Sequence, residues 1–176
     1  LFVGILIGCQ EEKVIVVEPT EDQAVKPTSE TASLVTSVAR RDGSDDDIID
    51  RASCLSLLFP VNVIANGNEV TVNTQDDLKI IENIFGASTV DEDWLEIQFP
   101  IIAVLPNHTQ ITIPSKQNLD EIIASCAQTG DADIECIDFR FPIKVTRYNV
   151  GSQTAEVFTI QDDKALFNFF GYLKEE

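Results

Sequence analysis

Apolar residues alternate with polar ones at three places in this chain, each centred on a Phe-Pro dipeptide: Phe59-Pro60, Phe99-Pro100 and Phe141-Pro142. The first stretch sets Leu55, Leu57, Phe59, Val61 and Val63 on one parity, and the second sets Leu95, Ile97, Phe99, Ile101 and Ala103. The third sets Ile137, Phe139, Phe141, Ile143 and Val145. A period of two held over such a stretch predicts a strand with one buried face. Each stretch runs into a turn: Ala65-Asn66-Gly67-Asn68, then Pro106-Asn107-His108, then a longer loop from Asn149 to Gln153. Asn-Gly is a strong hairpin signal, because a two-residue turn that follows the strand twist needs positive φ at both positions. A shorter strand follows, marked by Val70-Thr71-Val72, Ile111-Thr112-Ile113 and Phe158-Thr159-Ile160.

After each of those threonines the spacing becomes helical. Leu78, Ile81 and Phe85 form one stripe, Leu119, Ile122, Ile123 and Cys126 a second, and Leu166, Phe169, Phe170 and Leu173 a third. Thr74 with Asp77, Ser115, and Asp162 stand where N-caps belong. The expected fold class is α+β: three β-β-α repeats over residues 54–86, 94–127 and 136–174, their Phe-Pro pairs 40 and 42 residues apart. Helices would pack on one face of antiparallel β-structure, and about 120 residues is ample for one core. Each proline sits mid-strand without a donor, so it must mark a bulge or an edge. An open sheet has only two edges. At least one proline is then a bulge, or the units are split between sheets or set around a pseudo-threefold axis.

Upstream, Leu1 to Ile7 is apolar but far shorter than the roughly 20 residues of a spanning helix. Leu6-Ile7-Gly8-Cys9 closes that run, and the polar Gln10-Glu11-Glu12-Lys13 follows at once. The arrangement resembles a bacterial lipobox, which implies cleavage before Cys9 and acylation of its thiol and new amino group. Residues 1–8 would then be part of a signal peptide, and several acyl chains would anchor the protein where one alone would not. The plainer alternative is a short buried strand ending in Gly-Cys. Cys9-Gln10-Glu11-Glu12 also looks like the acidic signal that sends lipoproteins of Bacteroidetes to the outer face of the outer membrane. An acidic linker start is the alternative there.

Residues 9–53 read as the lipidated cysteine and a disordered acidic tether, rich in Glu, Asp, Pro and Ser, with no aromatic residue and no sustained period. Such a tether spans about 35–40 Å as a random coil. Val14-Ile15-Val16-Val17 is its one apolar patch, a candidate strand or docking segment. Asp42 to Asp50 has the oxygen density of a calcium loop but lacks EF-hand ligand spacing, so a solvated acidic run is the better reading.

Taken together, the lipobox, the acidic linker and hairpin-helix units opening with Cys-x4-[aromatic]-Pro resemble uncharacterised lipoproteins of Flavobacteriia. Cys54 and Cys136 open the first and third units, and Trp94 departs from that pattern in the second. The resemblance implies location and fold, and no chemistry.

Of four cysteines, three remain once Cys9 carries lipid, and an oxidising envelope favours a disulfide. Cys126 with Cys136 would close a short loop, with Cys54 to Cys136 as the rival, and a buried thiol at Cys126 as the plain alternative. No metal site and no cofactor are expected: the only histidine is His108, in a turn, and Cys-x2-Cys is absent. The same lack argues against Ser-His-Asp or Cys-His catalysis. Asp76-Asp77 and Asp162-Asp163 are paired carboxylates, but the first turn of a helix accounts for them. The formal charge of −18 divides into −6 before Cys54 and −12 after it, which disfavours nucleic acid and anionic lipid as partners. Divalent cations, basic protein patches and neutral glycans stay open, with Trp94, Phe139 and Tyr148 as glycan-surface candidates.

The sequence is thus expected to be a membrane-anchored envelope lipoprotein, lipid-anchored in the outer membrane and displayed at the cell surface, or else on the periplasmic face. It would act as a non-enzymatic binding or interaction module for a protein or glycan. The alternatives are an envelope hydrolase using carboxylates, which requires a cleft where carboxylates converge with perturbed pKa, and a calcium or small-ligand binder.

Overall fold

The structure, a computed structural model, describes residues 24–87, 92–129, 134 and 137–175. Proline carries no N–H for a ladder, and in the first two alternating stretches the predicted strand breaks at it. The first stretch becomes β1 (Ser56–Leu57) and β2 (Val61–Ala65), and β2 turns at Asn66-Gly67 into β3 (Asn68–Val72). The second becomes β4 (Leu95–Ile97) and β5 (Ile101–Val104), with β6 (Gln110–Ile113) after the turn. Among its described residues the third has no strand before its proline, and the hairpin β7 (Ile143–Asn149) and β8 (Thr154–Ile160) follows. All three Phe-Pro bonds are cis.

The two halves of a broken strand enter different sheets. β1 joins the sheet ordered β1-β5-β6, and β4 joins the sheet ordered β3-β2-β4. Each stretch therefore hands its leading strand to the hairpin of the other. Leu57 faces Ala103 and Ser56 faces Val104, while Ile97 faces Val63 and Glu96 faces Ile64. The two pairings superimpose on a shift of 40 residues, the distance between the two Phe-Pro pairs. The flanking hydrogen bonds obey the same shift: Leu58 N–H donates to Ile102 O at 2.8 Å, and Gln98 N–H to Asn62 O at 2.9 Å. Of the arrangements open to the prolines, division between sheets is the one observed.

The class is α+β, as the periodicity predicts, with the strands in three antiparallel sheets. The helices α3 (Leu78–Phe85), α4 (Lys116–Thr129) and α5 (Asp163–Glu175) fall on the expected stripes. Their predicted caps are in place. Thr74 and Asp77 form a capping box, Asn118 N–H donates to Ser115 Oγ at 3.4 Å, and Ala165 N–H donates to Asp162 Oδ1 at 2.8 Å. The chain divides into one compact unit of residues 25–143 and 160–176 and a second whose described residues are 24 and 144–159. The core of the first unit gathers Leu55, Leu57, Val61, Val63, Ile101, Ala103, Ile81 and Ile113, all nearly inaccessible to water.

From residue 24 to 53 the structure departs from the expected disordered tether. This stretch carries α1 (Glu30–Val38), a 3-10 turn at Ser44–Asp46 and α2 (Asp47–Asp50). Its apolar content is low but well spaced: Ala32, Ala39, Ile49 and Ala52 are buried, and Ser29 caps α1 through Ala32 N–H at 3.2 Å. Arg41 N–H donates to Pro106 O at 3.0 Å, and His108 Nε2 bonds Ala39 O at 2.8 Å, tying the segment to the β5–β6 turn. Residues 1–23, which hold the signal-peptide reading, Cys9 and Val14 to Val17, lie outside the described residues.

Gly43 fixes where the acidic segment meets β1. A Cβ there would collide with the carbonyl oxygens of Leu55 and Ser53, backbone atoms that cannot swing aside. Gly43→Ala should therefore destabilise by about 2–3 kcal/mol, read as a lower urea midpoint at unchanged m-value; an unchanged midpoint would show that the segment does not dock there.

Candidate functional site

Asp42 to Asp50, expected as a solvated acidic run, is partly interior. Asp42 Oδ1 turns the chain by accepting Ser44 N–H at 2.7 Å. Asp46 and Asp50 then fall inside, 2% and 6% exposed. Asp46 Oδ2 accepts Leu57 N–H at the end of β1, and Asp50 Oδ1 accepts Ala52 N–H at 3.1 Å. Asp46 Oδ1 and Asp50 Oδ2 have no hydrogen-bond partner among the described residues. Burial, reinforced by the charge of Asp46, pushes the Asp50 carboxyl from its ordinary 3.8 up to about 8. Burial likewise raises Asp46 to about 6, against the opposing pull of Leu57 N–H and Arg41. Burial thus favours the protonated form of Asp50, which has an O–H to donate as well as a lone pair to accept.

Asp50 lines a cleft of about 720 Å³ formed by α2, the β4 segment and α4. Ile49, Leu95, Ile97, Phe99, Leu119 and Ile123 give it an apolar floor, and Asp93, Glu96 and Asp120 bring carboxylates to it. At its edge stands Trp94, 48% exposed. Arg51 and Lys116 are the cations that line it, and Lys116 is held by Asp120 at 2.7 Å.

The Asn-Gly turn that marks the first hairpin also positions this tryptophan. Asn66 N–H donates to Trp94 O at 3.1 Å, Trp94 N–H donates to Asn66 Oδ1 at 2.9 Å, and Asn66 Nδ2 donates to Asp93 Oδ1 at 2.8 Å. Asn66 holds φ +47° and Gly67 φ +83°, as a hairpin turn with positive φ at both positions requires. Asn66→Ala should cost about 1–2 kcal/mol and raise acrylamide quenching of the lone tryptophan at unchanged far-UV circular dichroism. Equal quenching would mean that Trp94 is held by something else.

The other sequence candidates are not brought to this cleft. Asp77 caps its helix, and the N–H groups of Asn73 and Thr74 hold its carboxyl below the usual range. Burial raises Asp163, with His108 as the largest opposing influence. Phe139 stacks at a tilt on Phe141, centroids 6.3 Å apart, and Tyr148 lies on β7 in the other compact unit. His108 sits edge-on to Phe167 at 5.7 Å.

Among the described residues a disulfide joins Cys54 to Cys126. The strand exchange is the physical reason. Cys54 leads β1, β1 lies in the sheet of β5 and β6, and α4, which carries Cys126, packs on β6. Cys136, and with it the expected Cys126–Cys136 bridge, lies outside the described residues. Among the described residues no group of three or more His, Cys, Asp or Glu is placed to hold a metal ion, and no helix is long and apolar enough to cross a membrane. Comparison of the chain with protein-family models, curated proteins and solved structures finds no match.

The burial of these carboxylates is hidden in the sequence, because a dense run of charge points to solvation. Ile48-Ile49 between Asp46 and Asp50, with Ala52 beyond, was the available sign that one helical face there turns inward.

Proposed function

We propose that the protein is an envelope lipoprotein of the outer membrane, acylated at Cys9 and displayed at the cell surface, whose folded part binds a neutral glycan without acting on it. The lipobox-like Leu6-Ile7-Gly8-Cys9 supports the anchor. The single observation that carries the binding role is the cleft: an apolar floor, an exposed indole at its edge and, at its wall, Asp50 with its protonated form favoured. Sugar rings present C–H faces that stack on indole and hydroxyls that both donate and accept, which is what a neutral carboxylic acid answers. Carboxylates at Asp93, Glu96 and Asp120 disfavour an anionic ligand.

The anchor is tested by growth with an alkynyl fatty acid: the chain should label, and Cys9→Ser should not. The binding role is tested by probing a neutral-glycan array with the Cys9→Ser chain. Binding should fall at least about tenfold with Trp94→Ala, which corresponds to about 1.4 kcal/mol. Retention of full binding in that variant would place the seat elsewhere.

One observation favours a second reading, a hydrolase. A carboxyl raised to about 8 beside an apolar cleft has the character of a general acid. That reading predicts release of reducing ends from the bound glycan, abolished by Asp50→Asn. The binding-module reading predicts no release by either protein.

A further inference from the structure

We propose that Asn66 is a self-modification site, where loss of ammonia and addition of water turn the asparagine into aspartate or isoaspartate and free Trp94 from the edge of the cleft. Trp94 is the second stretch's counterpart of Cys54, which stands 40 residues earlier. Cys54 is fastened by a disulfide. Trp94 is fastened through Asn66, whose Oδ1 accepts Trp94 N–H, whose N–H donates to Trp94 O, and whose Nδ2 donates to Asp93 Oδ1 at 2.8 Å. That side-chain amide fits only one way round, since Trp94 N–H needs an acceptor and the Asp93 carboxylate needs a donor. The place of the indole thus depends on an amide that water can remove.

The chemistry is local to the turn. Asn66 is the only asparagine in the chain that precedes a glycine. A side chain on the following residue crowds the approach of its nitrogen, whereas a Cβ placed on Gly67 would meet nothing within 4 Å, so the turn is open to water on that side. Once base has taken its proton, Gly67 N attacks Asn66 Cγ. The new C–N bond displaces Nδ2, which leaves as ammonia with a proton returned by water, and a cyclic imide remains. Adjacent residues make the step intramolecular, and Trp94 N–H meets the negative charge that develops on Oδ1. Water then adds to one of the two imide carbonyls. Opening at Cγ leaves aspartate, and opening at the Asn66 backbone carbonyl carries the main chain through Cβ as isoaspartate. Nothing is oxidised or reduced, and water is the sole co-reactant.

Both products break the clamp. In aspartate an oxygen replaces Nδ2, so a carboxylate meets the Asp93 carboxylate where a 2.8 Å hydrogen bond stood. Like charges at that range repel. Isoaspartate adds a backbone carbon to a turn that holds φ +47° at Asn66 and +83° at Gly67 to pair Ala65 with Asn68.

The test keeps the Cys9→Ser chain folded in mildly alkaline buffer, with a parallel sample in urea, and maps both by digestion and mass spectrometry. Residue 66 should convert in the folded chain ahead of Asn68 and Asn73, with isoaspartate among the products. Residue 66 intact in the folded chain overturns the inference, the urea sample showing that the product is detected when it forms. Earlier conversion at any other asparagine overturns it as well. The converted chain gains a negative charge and separates by anion exchange. Its acrylamide quenching at Trp94 should exceed that of the fresh chain while far-UV circular dichroism is retained, and freshly made Asn66→Asp should match it. If Asn66→Asp fails to fold, the converted wild-type fraction still gives the reading, and quenching equal to that of the fresh chain overturns the link to the cleft. No glycan enters these measurements, so this inference and the glycan reading fail separately.

Discussion

Raising the pH from about 5 to about 9 will lower the melting temperature of this protein, and Asp50→Asn will flatten the fall. The Asp50 carboxyl stands at about 8 in the folded chain against an ordinary 3.8, and Asp46 at about 6. Between those values the folded state keeps a proton that the unfolded chain releases. The folded state therefore binds more protons, and the linkage slope is negative: stability falls as pH rises. The contribution is whole below pH 3.8, drains as pH climbs, and is gone above about 8 for Asp50 and about 6 for Asp46. Each proton sets a limiting slope of about 1.4 kcal/mol per pH unit. Asparagine keeps the shape without the titration. The variant should match or trail the wild type in acid and overtake it in mild alkali. Denaturation monitored by circular dichroism at a series of pH values measures this, and parallel curves for the two proteins would show that Asp50 ionises as freely in the folded chain as in the unfolded one.

Reducing Cys54–Cys126, or replacing both residues with serine, will cost roughly 4 kcal/mol. The bond closes a loop of 72 residues, and the entropy removed from the unfolded chain grows with the logarithm of that length. It also fastens the lead of β1 to α4, across the two exchanging stretches, so its loss should loosen β1, the buried edge strand of that sheet, first. Chemical denaturation with and without reductant gives the figure. Hydrogen exchange should show β1 and α4 losing protection ahead of β2 and β3. A loss below about 1 kcal/mol would mean that the reduced, unfolded chain is already compact around this crosslink.

What the sequence showed and what it hid divides by range. Hairpins, helices and the caps at Thr74, Ser115 and Asp162 are written in residues a few places apart, so the periodicity of Leu78-Ile81 or Val61-Val63 was enough. Strand exchange is a pairing of Leu57 with Ala103, whose register no local pattern encodes. The break at each proline was foreseeable from its missing donor; the destination of the freed strand was not. The Cys54–Cys126 bond is hidden for the same reason, since Cys54 reaches Cys126 through the β1-β5-β6 sheet. The cleft was half legible. Trp94 stood out as an aromatic residue in the place of a cysteine, but Asp50 looked hydrated because buried charge is costly, and its protonation in the folded chain removes that cost.

The cleft as a glycan seat is most directly tested by the indole N–H resonance of the lone tryptophan in a ¹⁵N-labelled chain, titrated with soluble neutral oligosaccharides. A saturable shift of that one peak, with a smaller shift or weaker affinity in Asp50→Asn, is the predicted result. An indole resonance that stays in place while other resonances move to saturation would put the ligand on another surface and contradict the account.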